Sequence, residues 1–278
     1  MQVILYEMRR TKAELAKGTV LFSIDVDVGH EDVGIQNQSR NDTNVSSHMS
    51  ERQIGKIEQM ALPLILDSFD HYEIPVTLAL RGQLFDVSPA TVEALMSRSG
   101  EYDIGAHGYY HKSLTGLTHH EALHEFEMLR EAMQSFNLEP KSFVFPKNAV
   151  AHLDLLRAFD YLCFRGPGGF PRNLMHVERT SGLWNVHPSL LVHSRSHILT
   201  LIKVVDISVR RNLPGHLWFH SWNFGSNASE VKKHVGKVLC PLLAHIRALE
   251  DQGRITTSNM KGIAEHIVRC TDAKKGFV

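Results

Sequence analysis

Short apolar runs alternate with longer stretches of helical periodicity along almost the whole chain. The runs 19-TVLFSID-25, 76-VTLALR-81, 103-DIGA-106, 142-SFVF-145, 161-YLCFR-165, 216-HLWFH-220 and 255-ITT-257 predict strands. Several are continuously apolar, as a strand covered on both faces of a parallel sheet requires. The residues just after these runs are polar or small: Asp27, Gly82, His107, Lys147, Gly166 and Ser221.

Between the strands the spacing predicts helices. Ser50 fits an N-cap, with Ile54, Ile57 and Ala61 following it; Pro63 kinks or restarts that helix, which resumes through Leu64, Ile65 and Phe69. Thr118 with Glu121 three residues later forms a capping box for the next long helix. Residues 196–211 and 229–251 read as amphipathic helices, the second ended by Gly253, and Ser258 opens a last helix to about Cys270. Strand–helix alternation means α/β, and seven or so βα units without repeat or linker predict a single-domain (β/α)7-type barrel, regular or distorted. Residues 1–18 read as an N-terminal extension and residues 19–278 as the barrel. The polar stretch 31–47 reads as a loop at the end of the first strand, long enough to act as a lid.

Composition narrows the function classes. Lys+Arg and Asp+Glu are both 30, so formal net charge is zero and the basic excess of a nucleic-acid binder is missing. Three scattered cysteines, Cys163, Cys240 and Cys270, with no CxxC pair suit a reducing compartment. The only apolar run near the N-terminus, Val3 to Tyr6, is too short for a signal-peptide core, and no apolar span is long enough to cross a membrane. The expectation is a soluble cytoplasmic protein. Histidine, at 18 residues, is the compositional outlier and favours metal or proton chemistry.

Three stretches carry that chemistry. In 103-DIGAHGYYHKSLTGLT-118, His107 and His111 are four residues apart, so on a helical turn both imidazoles reach one cation. In 19-TVLFSIDVDVGH-30, strand alternation puts Asp25 and Asp27 on one face at the strand's exit. Two carboxylates so close repel, and a cation relieves this. Two histidines and one carboxylate with open positions fit a catalytic divalent metal, zinc best of all, and leave the second carboxylate as a base. In 216-HLWFHSWNFG-225, His220 stands between Trp218 and Trp222; such a histidine can protonate a leaving group while an aromatic ring stacks on a sugar. Each signal alone also has a bland reading, as surface histidines, loop-capping aspartates or a core histidine.

Together these stretches resemble the polysaccharide deacetylase, or NodB-like, family of carbohydrate esterases, over roughly Thr19 to Thr257. The resemblance implies a distorted barrel of about seven strands and metal-dependent removal of N- or O-acetyl groups, mostly from amino sugars. The family's adjacent aspartates appear here as the D-x-D form 23-SIDVDVG-29. By resemblance to a divergent branch, Asp25 is the base and Asp27 the metal ligand. The HxxxH motif is 107-HGYYH-111, with Gly108 in place of a hydroxyl residue, which makes His107 and His111 the other ligands.

The third motif survives only as Pro146 in 143-FVFPKN-148; the arginine that orients the base is missing from it. Arg165, Arg81 and Lys147 are the candidates to replace it, and the amide near Lys147 is the candidate oxyanion donor. Arg165 is taken as the catalytic one, and Arg81, Lys147, Asn148 and Trp222 as substrate-binding. The segment 184-WNVHPS-189, with His187, falls where a fourth motif belongs, and 217-LWFH-220 resembles the last one, with His220 as acid.

The expected activity is hydrolysis of an N-acetyl or related acyl group from an amino sugar or glycan precursor. Surface-glycan or lipopolysaccharide assembly is the expected setting, with neither nucleic acid nor membrane insertion involved. The alternatives are a hydrolase of a non-peptide C–N bond in a small cyclic amide and a catalytically silent glycan-binding protein. The sugar, the acyl group and the oligomeric state are not legible.

Overall fold

Ten strands form one sheet in the computed structural model, which describes residues 13, 15, 17–27, 51–166 and 175–275. They are β1 (Gly18–Val26), β2 (Val76–Leu80), β3 (Tyr102–Ala106), β4 (Ser142–Val144), β5 (Cys163–Arg165), β6 (Val177–Thr180), β7 (Leu183–Val186), β8 (Leu190–Leu191), β9 (Pro214–His220) and β10 (Ile255–Ser258). The order is β6-β7-β5-β4-β3-β2-β1-β9-β8, with β10 also on β1. Every pair is parallel except β6–β7. This is the expected α/β fold, a curled sheet of the distorted-barrel kind.

β1 is the hub, and all nine of its residues are buried. One edge pairs with β9 along Thr19–Asp25. The other edge is shared: Gly18–Leu21 pair with β10, and Phe22–Val26 with β2. Period-two alternation then sorts the side chains. Val20, Phe22, Ile24 and Val26 face the larger apolar core, where Phe22 and Phe219 both pack on Phe69. Leu21 faces the other way, against Met260 and Ile263 of the helix Met260–Lys275, and Ser23 and Asp25 share its face.

Between β5 and β9 the sheet is crossed by one stretch of chain. Residues 183–186 pair with β5, and residues 190–191 pair with β9. Between them Ser189 takes the carbonyl of His216, 2.7 Å from its amide, and the Ser189 hydroxyl accepts from the His216 amide at 3.0 Å.

All seven expected strands are present. β6, β7 and β8 were not expected: they are short, and β6 mixes Glu178 and Arg179 with its apolar residues. The Thr118–Glu121 capping box forms in both directions. Neither Pro63 nor Pro241 breaks its helix. Each follows a π-helical turn, Ile57–Ala61 and Val235–Leu239, whose i→i−5 bonds from Leu62 to Ile57 and from Cys240 to Val235 lead into a residue with no N–H to offer. The helix placed from Ser229 is capped instead by Asn227, whose side chain accepts from the Glu230 amide. Ser258 ends β10, and the last helix runs Met260–Lys275, past Cys270. Ser50, loop 31–47 and most of the 1–18 extension lie outside the described residues.

Candidate active site and metal centre

The C-terminal ends of β1, β3, β5 and β9 bring seven polar side chains together. β1 supplies Ser23 and Asp25 and, just past its end, Asp27. β3 is followed at once by His107, β5 ends in Arg165, and β9 carries His216 and His220. Asp25, Asp27, His107, His111, Arg165 and His216 are all buried.

Asp27, His107 and His111 present ligand atoms to one another. The two Nε2 atoms are 3.1 Å apart, and His111 Nε2 is 3.5 Å from Asp27 Oδ2. Metal bonds of 2.0–2.1 Å at tetrahedral angles put ligand atoms about 3.3 Å apart, so these separations suit one small cation. Tautomer agrees. His107 Nδ1 lies 2.8 Å from the carbonyl of Val144, which can only accept, so Nδ1 carries the proton and Nε2 offers its lone pair. Burial pushes the pKa of His107 down despite the pull of Asp25 and Asp27. It pushes His111 down further, and its neighbours His107, Arg81, His220 and Lys147 disfavour an added positive charge there. Both rings are therefore held neutral, as metal ligands must be.

The route to this geometry is not the helical turn expected of HxxxH. Residues 107–112 are irregular, Gly108 (φ 69°) and His111 (φ 58°) are left-handed, and the chain doubles back so that the rings meet. At Gly108 a side chain would also reach Pro146, 3.0 Å from an added Cβ, so glycine suits the position where the family pattern has a hydroxyl. Glu125 holds the loop by accepting from the amide of Tyr110 at 2.7 Å.

Arg165 grips Asp25 with both terminal nitrogens, Nη1 to Oδ1 at 2.7 Å and Nη2 to Oδ2 at 2.5 Å. Burial alone would raise the Asp25 pKa. The Arg165 charge and its hydrogen bonds, joined by the nearby imidazoles of His107 and His220, outweigh it and bring the pKa down to about 2. The guanidinium lies over the ring of Trp218, 4.4 Å from its centroid. Nη1 also donates to Ser23 Oγ at 2.9 Å, and Ser23 Oγ lies 2.8 Å from His216 Nε2. His216 Nδ1 in turn faces the carbonyl of Val186 at 3.2 Å. Polarity runs one way along this chain: Arg165 donates to Ser23, Ser23 to His216, and His216 to Val186.

His220 Nε2 stands 3.8 Å from Asp25 and 3.9 Å from Asp27. Its ring stacks on Trp222 at 4.5 Å, and the Trp222 Nε1–H donates to Asp27 Oδ1 at 3.2 Å. Of the three cations considered for orienting Asp25, Arg165 is the one in contact with it. Arg81 is buried too, donates to Gln83 and feels the charges of Asp27 and Glu125. Lys147 and Asn148 occupy the turn after β4, both with left-handed backbone. His187 does not join the site; it faces His176 and Glu178.

Sequence reading passed over Ser23 and His216. Period two was the available signal: Ser23 shares a strand face with Asp25, and His216 with His220. Glu58, which accepts from the Ser221 hydroxyl at 2.9 Å just beyond β9, gave no such signal.

Residues 55–158 match the family model for polysaccharide deacetylases. No curated protein matches the chain. Among solved structures, a Mycobacterium smegmatis protein classed as a polysaccharide deacetylase superposes with a TM-score of 0.67 at 17% identity, covering 94% of this chain and 96% of that one. A CE4-family pseudoenzyme from Bacillus anthracis gives 0.51 at 15% identity, over 90% of this chain and 66% of that one. A peptidoglycan N-acetylglucosamine deacetylase, solved with a hydroxamate-type ligand, gives 0.50 at 14% identity, over 90% and 89%. At these identities the likeness speaks for the fold.

Proposed function

We propose that this chain, a member of the polysaccharide deacetylase (NodB-like) family, is a hydrolase that removes an N-acetyl or related acyl group from an amino sugar or glycan precursor with the help of a divalent cation. The observation that carries the reading is a buried, clamped carboxylate beside a cluster of one aspartate and two histidines. Asp25, gripped by Arg165, shares its site with Asp27, His107 and His111, and His220 is within 4 Å of both aspartates.

Asp27, His107 and His111 would hold the cation, with zinc the best match for two imidazoles and one carboxylate. A cation held there supplies Lewis acidity, polarising the amide carbonyl and bringing the pKa of water within reach of a carboxylate base.

The protein's own groups do the rest. Asp25 is ionised throughout the working pH range, because its pKa is held at about 2. It takes the proton of the attacking water while Arg165 keeps both its oxygens aimed. His220, stacked on Trp222, supplies the proton to the departing amine nitrogen. The amide near Lys147, in the turn after β4, is the protein's donor to the oxygen that gains charge. Arg81, Lys147, Asn148 and Trp222 are the side chains assigned to substrate. Each acid–base step of this kind is worth about 10²–10⁴-fold in rate.

The test is acetate release from N-acetylated amino sugars, with metal content measured on the same samples. Acetate release that disappears with the metal and returns on adding zinc is the expected result. Turnover of cyclic ureides alone would move the reading to another amide class. Sugar binding without product in the metal-loaded protein would make it a silent relative. Undiminished turnover in metal-stripped protein would overturn the scheme.

A further inference from the structure

A second cluster of ligand-type side chains lies at the open end of the β6–β7 hairpin. In this antiparallel pair Val177 opposes Val186 and Glu178 opposes Asn185. One register step outward, His176 comes opposite His187. Alternation puts His176, Glu178 and His187 on one face of the hairpin, with Glu178 diagonal to His187 and within its reach. It is not the face that carries Asp25. Through the pairing of β7 with β5, Trp184 sides with Cys163 and Asn185 with Phe164, so the cluster sits opposite the face that Arg165 shares with Cys163.

The side chains meet closely. His187 Nε2 is 3.1 Å from Glu178 Oε1, and His176 Nε2 is 3.5 Å from Glu178 Oε2. The two imidazole rings are 4.3 Å apart, centroid to centroid. One ligand atom from each residue falls within 4.8 Å of the other two. Glu178 thus sets one carboxylate oxygen against each imidazole, a span that one small cation with bonds of about 2.0–2.1 Å can bridge. Glu178 is 5% exposed and His187 8%. A glutamate is rarely buried so deeply unless it is paired or bound to a cation.

We infer that His176, Glu178 and His187 form a second divalent-metal site, built for a transition metal of the zinc class and separate from the one at Asp27. Two borderline nitrogen ligands and one carboxylate select such a metal over calcium or magnesium, which prefer all-oxygen sets. Its role is structural. It cross-links the end of the hairpin opposite the Ser181–Gly182 turn and fixes residue 187. From there the chain passes into Ser189, which holds the backbone of His216. The site thereby pins the segment that carries the sheet from β5 to β9.

The experiment measures zinc or cobalt(II) retained after gel filtration, together with the thermal midpoint. Wild type is expected to retain about two equivalents. His111→Ala, which disables the catalytic-site triad, is expected to retain one, and added zinc should raise its midpoint by several degrees. Adding His176→Gln to that variant should abolish both the remaining equivalent and the zinc-induced shift. His176 has the most exposed side chain of the three, at 17%, so this change endangers folding least. Cobalt(II) absorption of the His111→Ala protein, lost in the double variant, reads the ligand set directly. Equal metal content in His111→Ala with and without His176→Gln would overturn the inference, as would a His111→Ala protein that is folded and metal-free. Because the decisive comparison is made where the catalytic triad is already disabled, its outcome is independent of whether the protein is a deacetylase.

Discussion

Arg165 and Asp25, 140 positions apart in sequence, form a two-pronged ion pair in which both side chains are almost wholly buried, 1% and 3% exposed. A planar guanidinium meets both carboxylate oxygens at once, which a lysine cannot do. The pair joins the ends of β5 and β1 and leaves Asp25 one orientation toward His220 and the candidate ligand His107. The cation on Asp25 thus comes from the strand after 143-FVFPKN-148, which has no arginine of its own.

Arg165→Lys keeps the charge and loses the fork. Turnover should fall by about two orders of magnitude or more, within the usual range for an acid–base element. Substrate KM and metal content should stay close to wild type, because Arg165 touches neither Asp27 nor the histidines. Steady-state kinetics with metal analysis check this. A loss confined to KM would mean that Arg165 binds substrate and does not position the base.

Asp25→Asn should abolish turnover while the metal stays bound. It should also destabilise the fold, because the buried Arg165 loses its counter-charge, a cost of about 3–5 kcal/mol. Combining it with Arg165→Met should restore much of the stability and none of the activity. Denaturant unfolding of the two single variants and the double variant measures the coupling.

Trp222→Phe retains a ring to stack on His220 and removes the Nε1–H donated to Asp27. Loss of such an outer-shell partner should weaken metal affinity by about 10–100-fold. At saturating metal, kcat should recover most of its value. Competition against a chelator gives the affinity, and unchanged affinity would show that the bond to Asp27 does not orient the ligand.

His216 provides the pH test. Burial first, then the nearby Arg165 charge, lower its pKa from 6.5 to about 3, against weaker pulls from Val186, Asp25 and the His187 backbone. Between those values the unfolded chain binds a proton that the native protein does not, so stability rises with pH. The contribution is therefore present above about pH 6.5 and is lost as pH falls toward 3, at about 1.4 kcal/mol per unit. His216→Gln should flatten the slope of stability against pH in that window. An unchanged slope would assign the pH dependence to other groups.

Much of the architecture was legible because buried parallel strands advertise themselves. Seven runs such as Val76–Leu80 and Pro214–His220 are apolar enough to be read without a partner. β6 and β7 escaped for the opposite reason: in Val177–Thr180 and Leu183–Val186 the polar residues Glu178, Arg179 and Asn185 interrupt the apolar run. The ligand candidates Asp27, His107 and His111 could be named from spacing and resemblance. Their meeting could not be read that way, since it depends on left-handed backbone at Gly108 and His111 and not on a helix.

The sequence by itself determined which chemistry was on offer: two aspartates leaving one strand, two histidines leaving another, and a late histidine among tryptophans. Those facts are local, and alternation and composition express them directly. Only the tertiary structure put Arg165, and not Arg81 or Lys147, against Asp25, linked Ser23 and His216 to that pair, and set His187 beside His176 and Glu178. Each of these depends on which strand lies beside which and in what register. Register is set by burial and pairing across the whole sheet, and no stretch of the chain carries that information alone.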